Sequence, residues 1–380
     1  MKRLAARLVV FSLTSLLFME LVFRFVLPAC ELPSSVQGED GFQLYDPGYS
    51  RSGHYSEGSI PYPRSRWFIN DAGWNSLFPY RSRAERDRPL IAILGDSGIE
   101  SFYTSVEDHI DTWLFRILYG NFSVYAFGRH SQPLVEMTLL MERIDSLYEP
   151  DAFVMFISHD ALRQSLLRGP LDEYHYLLPA PSLGTFVSVS PSERRPSVFA
   201  RGVLRSALAR YLLLNRDLLR SGIPLQLVRV TPTYQDRIAP LGDTCIHDLM
   251  PMAGWYLLSR ISGMLEDRRL LIVVDESFLR GTLRIRGSTI STDESLSAEF
   301  MLLERLSSGF DRIDFMNVSH EMQRDYDNTG VSHTDTYNRH LNGHGNNVVA
   351  HAIAQYLRDT GTLQRMLIEW GDRNGSTDRD

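Results

Sequence analysis

A short apolar run, Leu90-Ile91-Ala92-Ile93-Leu94, breaks off abruptly at Gly95-Asp96-Ser97. An apolar run of this length bounded by a turn signal predicts a strand covered by protein on both faces. Strands of that kind belong to open α/β sheets, whose ligands bind outside the carboxyl ends of the strands. A serine at that point is presented to solvent on the side where chemistry is done. Gly-Asp-Ser alone is a weak motif, and its serine serves equally well as a helix cap.

The pattern that follows constrains the fold further. Ser105 is placed to cap a helix over about 106–118, with Ile110, Trp113, Leu114 and Leu118 on its buried stripe. A second strand is read over 123–127, ended by Gly128, and Pro133 suits the first turn of a helix reaching about Tyr148. A third strand over 152–157 stops at Ser158-His159-Asp160. After a long interruption the sheet resumes over 270–274. Ser291 and Glu294 then form a capping box for a helix to about Leu306, and a last strand covers 313–317. The helix after Gly345 runs to about Leu357. Strands alternating with helices at this spacing predict the α/β class: a doubly wound, mainly parallel, five-stranded sheet with helices on both faces and right-handed crossovers.

The chain is divided here into an anchor (1–30), a largely irregular linker and lead-in (31–88), a globular domain (89–360) with an insertion at about 165–267, and a tail (361–380) that is loose beyond Trp370. Lys2, Arg3 and Arg7 precede an apolar run from Leu8 to Met19 that resumes after Glu20 and continues to Leu27. This predicts an N-terminal transmembrane or signal-anchor helix with an exported body, or alternatively a cleaved signal peptide. Glu20 and Arg24 stand four apart and can pair near an interface. The insertion carries a proline-punctuated stretch from Pro170 to Pro196, a helix near 198–219, a possible strand over 225–230 and a helix near 247–266. Arg201, Arg205, Arg210 and Arg216 on the first of these helices form either a solvated face or a contact for a membrane surface or acidic glycan. A net charge of −7 argues against a nucleic-acid footprint built on charge. Cys30 and Cys245 have no metal-ligand spacing, and they pair only if the fold brings them together.

Each strand end offers a group of chemical interest: Ser97, Gly128, His159 with Asp160, and His340 after the last strand. A serine becomes a nucleophile when a base lies within hydrogen-bond reach, and histidine is the usual base near neutral pH. An oxyanion needs donors, for which the backbone N–H groups of Ser97 and Gly128 are the natural candidates. His333 and His344 raise the question of a metal. Asn342-Gly343 interrupts any helix that would align His340 with His344, and no carboxylate spacing completes a ligand set, so neither metal nor cofactor is expected.

Taken in order, these blocks resemble those of the SGNH (GDSL-type) hydrolases, in their membrane-anchored bacterial branch. Gly95-Asp96-Ser97-Gly98 resembles the first block, Val124-Tyr125-Ala126-Phe127-Gly128 the second and Ile157-Ser158-His159-Asp160 the third. His340-Leu341-Asn342, followed by Gly345-Asn346 and Val349-Ala350, resembles the histidine block and the helix after it. Ile69-Asn70-Asp71-Ala72-Gly73-Trp74 resembles the lead-in of anchored members. The resemblance covers roughly 65–175 and 265–358, and the insertion lies outside it. It implies a three-layer, flavodoxin-like sandwich in which Ser97 is the nucleophile, His340 its base, and Gly128 an oxyanion donor beside Ser97. The implied activity is an esterase removing small acyl groups, acetyl first, from a cell-envelope carbohydrate or a lipid.

Two positions depart from the family pattern. His159 replaces an asparagine that donates to the oxyanion, and serves either there or as a structural hydrogen-bonding residue. The acid that stands two or three residues before the histidine is replaced by Asn338 and Tyr337, and the nearest carboxylate is Asp335. Either Asp335 or Asn338 orients the imidazole, or Ser97 and His340 work as a dyad. Acyl transfer to an envelope polysaccharide, and a catalytically degenerate binding protein, are the competing readings.

Overall fold

The computed structural model describes residues 2–27, 29–38, 40–48, 50–56, 64–158, 160–167, 174–180, 185–191, 205–215, 243–275, 294–335 and 340–375. Its first element is helix α1 (Lys2–Phe25), the one helix among the described residues long and apolar enough to cross a membrane, with a mean hydropathy of 1.9. Glu20 and Arg24 form the ion pair their spacing allows, at 2.6 Å. The Glu20 carboxylate also accepts the backbone N–H groups of Ala207 and Leu208, and Phe23 stacks on Tyr211 with ring centroids 4.0 Å apart. The end of α1 is thereby fastened to the insertion.

The main sheet consists of β1 (Leu90–Gly95), β2 (Ser123–Gly128), β3 (Ala152–Ile157), β4 (Leu270–Val274) and β5 (Ile313–Asn317). Its order is β5-β4-β3-β1-β2, and every neighbouring pair is parallel. The described helices of the domain include α2 (Ser97–Glu100), α3 (Ile110–Ile117), α4 (Leu134–Tyr148), α5 (Ala161–Gln164), α6 (Asp243–Leu265), α7 (Glu294–Ser307), α8 (Ser319–Thr329), α9 (Gly343–Asp359) and α10 (Thr362–Gly375). Alternate strand residues enter two different cores, as a period of two requires. Leu90, Ala92 and Leu94 join one core with residues of α4, α6 and α7, whereas Ile91 and Ile93 join the other with residues of α3, α9 and α10. Burial on both faces is why β1, β3 and β4 read as unbroken apolar runs rather than alternating ones, whereas the edge strand β5, only partly buried beyond Ile313, carries Asp314 and Asn317.

The strand order reverses at β1. The chain leaves β1 for β2 on one side, then returns past it to β3 on the other. The resulting switch point between β1 and β3 is where a doubly wound sheet leaves a crevice at its carboxyl edge. Gly95 lies opposite both Gly128 and Phe156, so Ser97, Gly128 and Ser158 arrive at that edge together.

Several local expectations need correction. The helix read over 106–118 is broken: Val106–Asp108 is a 3₁₀ turn, and the α-helix begins at Ile110. Ser105 makes no cap hydrogen bond, because its hydroxyl accepts from the Arg66 N–H instead. Segment 31–88 is more regular than expected. It pairs Ser35–Gln37 with Gln43–Tyr45 and Ser52–Tyr55 with Ser65–Phe68, and buries Tyr45, Trp67 and Ile69 around Phe102. The tail is helical to Gly375, since Leu363 and Met366 have a core to enter. Arg210 is no solvated side chain, because its Nε donates to the Cys30 carbonyl at 3.0 Å. Arg201, Arg216, the strand over 225–230, Ser291 and the side chain of Cys245 lie outside the described residues.

Candidate active site

The turn after β1 is built by Asp96. Its buried carboxylate caps α2, accepting the Gly98 N–H at 2.8 Å through one oxygen. The other oxygen reaches across the switch point to accept the Ser158 N–H at 2.9 Å and the Ser158 hydroxyl at 2.6 Å. Asp96 therefore supplies the helix cap, and the hydroxyl of Ser97 has no capping duty. Ser97 is the one residue from Ile91 to Glu100 that is not fully buried. Its Oγ lies 3.0 Å from Nε2 of His340, within hydrogen-bond reach of a base.

Two glycines let α2 sit where it does. A Cβ on Gly128 would lie 2.1 Å from the backbone nitrogen of Glu100, and one on Gly95 would lie 2.4 Å from Ile99. The second family-like block thus ends in glycine because α2 crosses the end of β2 at backbone contact. Behind α2 stands a buried polar group. Tyr45 donates its hydroxyl to Glu100, and Arg129 lies over the Tyr45 ring at 4.1 Å. Burial, reinforced by the neighbouring Glu100 charge, pushes the Tyr45 hydroxyl well above its ordinary value. Asn75 donates to the Glu100 carbonyl at 2.8 Å. The turn before Asn75 is organised by Asn70, whose side chain accepts the N–H groups of Ala72 and Trp74. Gly73 occupies the left-handed region there at φ +83.

His340 arrives from the other end of the chain. Thr334 and Leu341 form an antiparallel bridge, and the Asp335 N–H donates to the His340 carbonyl at 2.8 Å. These contacts hold Asp335 beside His340. Asn346, fully buried in α9, donates to the Asp108 carbonyl at 2.9 Å and to the Thr104 hydroxyl at 3.2 Å. It ties the histidine helix to the segment that follows the nucleophile. Asp335 is thus placed by its backbone against His340, whereas Asn338 and His159 lie outside the described residues.

Sequence reasoning missed Tyr103. Its ring stacks on His340 with centroids 3.8 Å apart and an interplanar angle of 21°. Nothing in the local pattern marks it, because the left-handed Ser101 (φ 51) that turns the chain after α2 is invisible in a linear reading. Such stacking contributes about 1 kcal/mol. If His340 serves Ser97 as a base, Tyr103→Ala is expected to lower kcat about tenfold by loosening the imidazole, whereas Tyr103→Phe retains most of it. Steady-state rates of both variants check this.

Glu299, on α7, was also missed. It accepts the N–H groups of Leu162 and Arg163 at 2.7 and 3.2 Å, beside the third block. Burial first, and then the Asp160 charge, push its carboxyl up to about 8. The folded state therefore holds a proton that the unfolded chain releases above about pH 4.5. Its stabilising contribution is full below that pH and is lost as pH rises towards 8. Glu299→Gln is expected to flatten the fall in melting temperature between pH 5 and 8, measured by thermal unfolding across that range.

No carboxylate spacing in the sequence completes a ligand set with these histidines, but the fold brings one to His333 and His344 from α8. Asp325 lies within hydrogen-bond distance of both.

No family model matches the sequence, and no curated protein matches it. Among solved structures, the chain is similar to an alpha/beta hydrolase enzyme from the metagenome of Lake Arreo, Spain. The identity is 12%, with 72% of this chain and 96% of that one covered at a TM-score of 0.37. A carbohydrate esterase family 2 enzyme from Corynascus thermopiles (Myceliophthora fergusii) is 11% identical, over 77% of this chain and 70% of that one, with a TM-score of 0.36. A carbohydrate acetylesterase family member from Sinorhizobium meliloti is 12% identical, over 71% and 98% respectively, with a TM-score of 0.32.

Proposed function

We propose that this protein is a serine esterase of the SGNH type, tethered to a membrane by α1 with its globular domain exported. One observation carries the reading: Ser97 Oγ and His340 Nε2, 243 positions apart in sequence, stand 3.0 Å apart at the carboxyl edge of a parallel sheet. In the proposed mechanism Ser97 attacks the carbonyl carbon of an ester while His340 Nε2 takes the hydroxyl proton. Collapse of the tetrahedral intermediate breaks the acyl–oxygen bond, and His340 returns the proton to the departing alcohol. Water repeats the sequence on the acyl-enzyme and restores Ser97. The Ser97 N–H, which at the first position of α2 has no intrahelical partner, and the Gly128 N–H are assigned to the oxyanion. His159 is assigned as a third donor. Asp335, the sole carboxylate in the sequence between His333 and His344, is assigned the task of orienting His340.

The substrate class follows from the resemblance of the motif blocks and from the anchor: a small acyl ester, acetyl first, on an envelope carbohydrate or a lipid. A serine-directed fluorophosphonate tests the reading on the full chain in detergent. Wild-type protein is expected to label at Ser97, and Ser97→Ala is expected to stay unlabelled. Absence of Ser97-dependent label between about pH 5 and 9, where a histidine base becomes neutral, would sink the proposal.

A further inference from the structure

A second cluster of chemistry-bearing side chains is assigned no step in the proposed ester cleavage. Asp325 on α8 directs one carboxylate oxygen, Oδ2, at two imidazoles, 2.8 Å from Nε2 of His333 and 2.7 Å from Nε2 of His344. The two rings lie nearly parallel, 5.2 Å apart at 15°. One ligating atom from each of the three residues lies within 4.8 Å of the other two. His333 is buried, whereas the side chains of His344 and Asp325 are 33% and 26% exposed. An ion and its water can therefore reach the cluster from solvent.

The backbone holds the two histidines together independently of Asp325. The Asn342 N–H donates to the His333 carbonyl at 2.9 Å, and a Cβ on Gly345 would lie 2.2 Å from that carbonyl oxygen. The Asn342 side chain accepts the Gly345 N–H and so sets the first turn of α9, on which His344 stands. Both imidazoles are thus delivered to Asp325 by packed backbone rather than by flexible loops, which is the preorganisation a ligand set needs.

We propose that Asp325, His333 and His344 bind a divalent transition-metal ion of the zinc class. Two imidazole nitrogens and one carboxylate oxygen suit zinc, cobalt(II) or nickel(II), and do not suit magnesium or calcium, which take mainly oxygen ligands. Three protein ligands leave a fourth position for water. The bound ion joins α8 to both ends of the segment from His333 to His344, within which His340 lies. Its role is to fasten the loop carrying His340, so the proposal stands whether or not Ser97 cleaves esters.

The experiment titrates the chelator-treated full chain with cobalt(II), read by visible absorption, and with zinc, read by calorimetry and thermal unfolding. About one ion per chain is expected to bind, with a rise in melting temperature at saturation. His344→Ala and the near-isosteric Asp325→Asn are each expected to weaken binding by about 100-fold. His351→Ala, an exposed histidine further along α9, is expected to leave it unchanged. Failure of the wild type to bind either ion at millimolar concentration overturns the proposal. So does equal affinity in the wild type and both cluster variants, and either result identifies the three residues as a hydrogen-bonded clamp.

Discussion

Replacing either Ser97 or His340 with alanine is expected to lower ester turnover by about 10⁴-fold, and the double replacement is expected to lower it no further. In the proposed mechanism the two side chains act as one unit across their 3.0 Å contact, so removing one leaves the other without work. Neither change disturbs packing greatly, because Ser97 is partly exposed and its short helix is capped by Asp96 rather than by its own hydroxyl. Melting temperatures close to wild type are expected, so a loss of rate reports on chemistry. Asp335→Asn belongs to the same experiment. If Asp335 orients the imidazole, its kcat falls by about 10² to 10⁴, while Asn338→Ala stays within severalfold of wild type. The reverse ranking transfers the orienting role to Asn338, and additive losses in the double variant of Ser97 and His340 contradict the shared mechanism.

Gly128→Ala is expected to be the most damaging small substitution in the domain. The added carbon meets the Glu100 backbone nitrogen at 2.1 Å and the Ile99 carbonyl carbon at 2.5 Å. Neither atom can move without carrying α2, and Ser97 with it. The cost is about 3 kcal/mol or more, equivalent to a fall of roughly 5 °C in melting temperature for a domain of this size. The Gly128 N–H survives the substitution, so loss of fluorophosphonate labelling in protein that still folds reports displacement of the nucleophile rather than loss of a donor. A variant that melts and labels like wild type would show that α2 and β2 can separate without consequence.

Much of this architecture is legible before any coordinate is known. Strands buried on both faces must be apolar throughout, so 90–94, 152–157 and 270–274 stand out against amphipathic helices, and the edge strands 123–127 and 313–317 show the same character more weakly because they are less completely covered. Boundaries were less legible where one side chain has a distant alternative. Ser105 accepts from Arg66 instead of capping a helix, and α10 extends through the supposed loose tail because the second core offers Leu363 and Met366 a place. Tyr103, Glu299 and Asp325 were not legible at all. Tyr103 meets its partner His340 from the far end of the chain and Glu299 accepts from Leu162, 137 positions away, whereas Asp325 lies 8 and 19 positions from its two histidines. At those spacings no helix or strand period brings the three together; a helix end, a bridge and a cap do so in turn.

By itself, then, the sequence determined the strands, their alternation with helices and the residue types at each strand end, because side-chain burial and turn chemistry act over a few positions. It also determined that Gly95-Asp96-Ser97 closes a buried strand. Tertiary structure decided which of those residues meet. The reversal of strand order at β1 sets Asp96 against Ser158, the crossing of α2 over β2 demands Gly128, and the bridge at Thr334 and Leu341 carries His340 to Ser97. Contacts of that kind depend on how layers pack, and packing is a property of pairs of elements that no local pattern encodes.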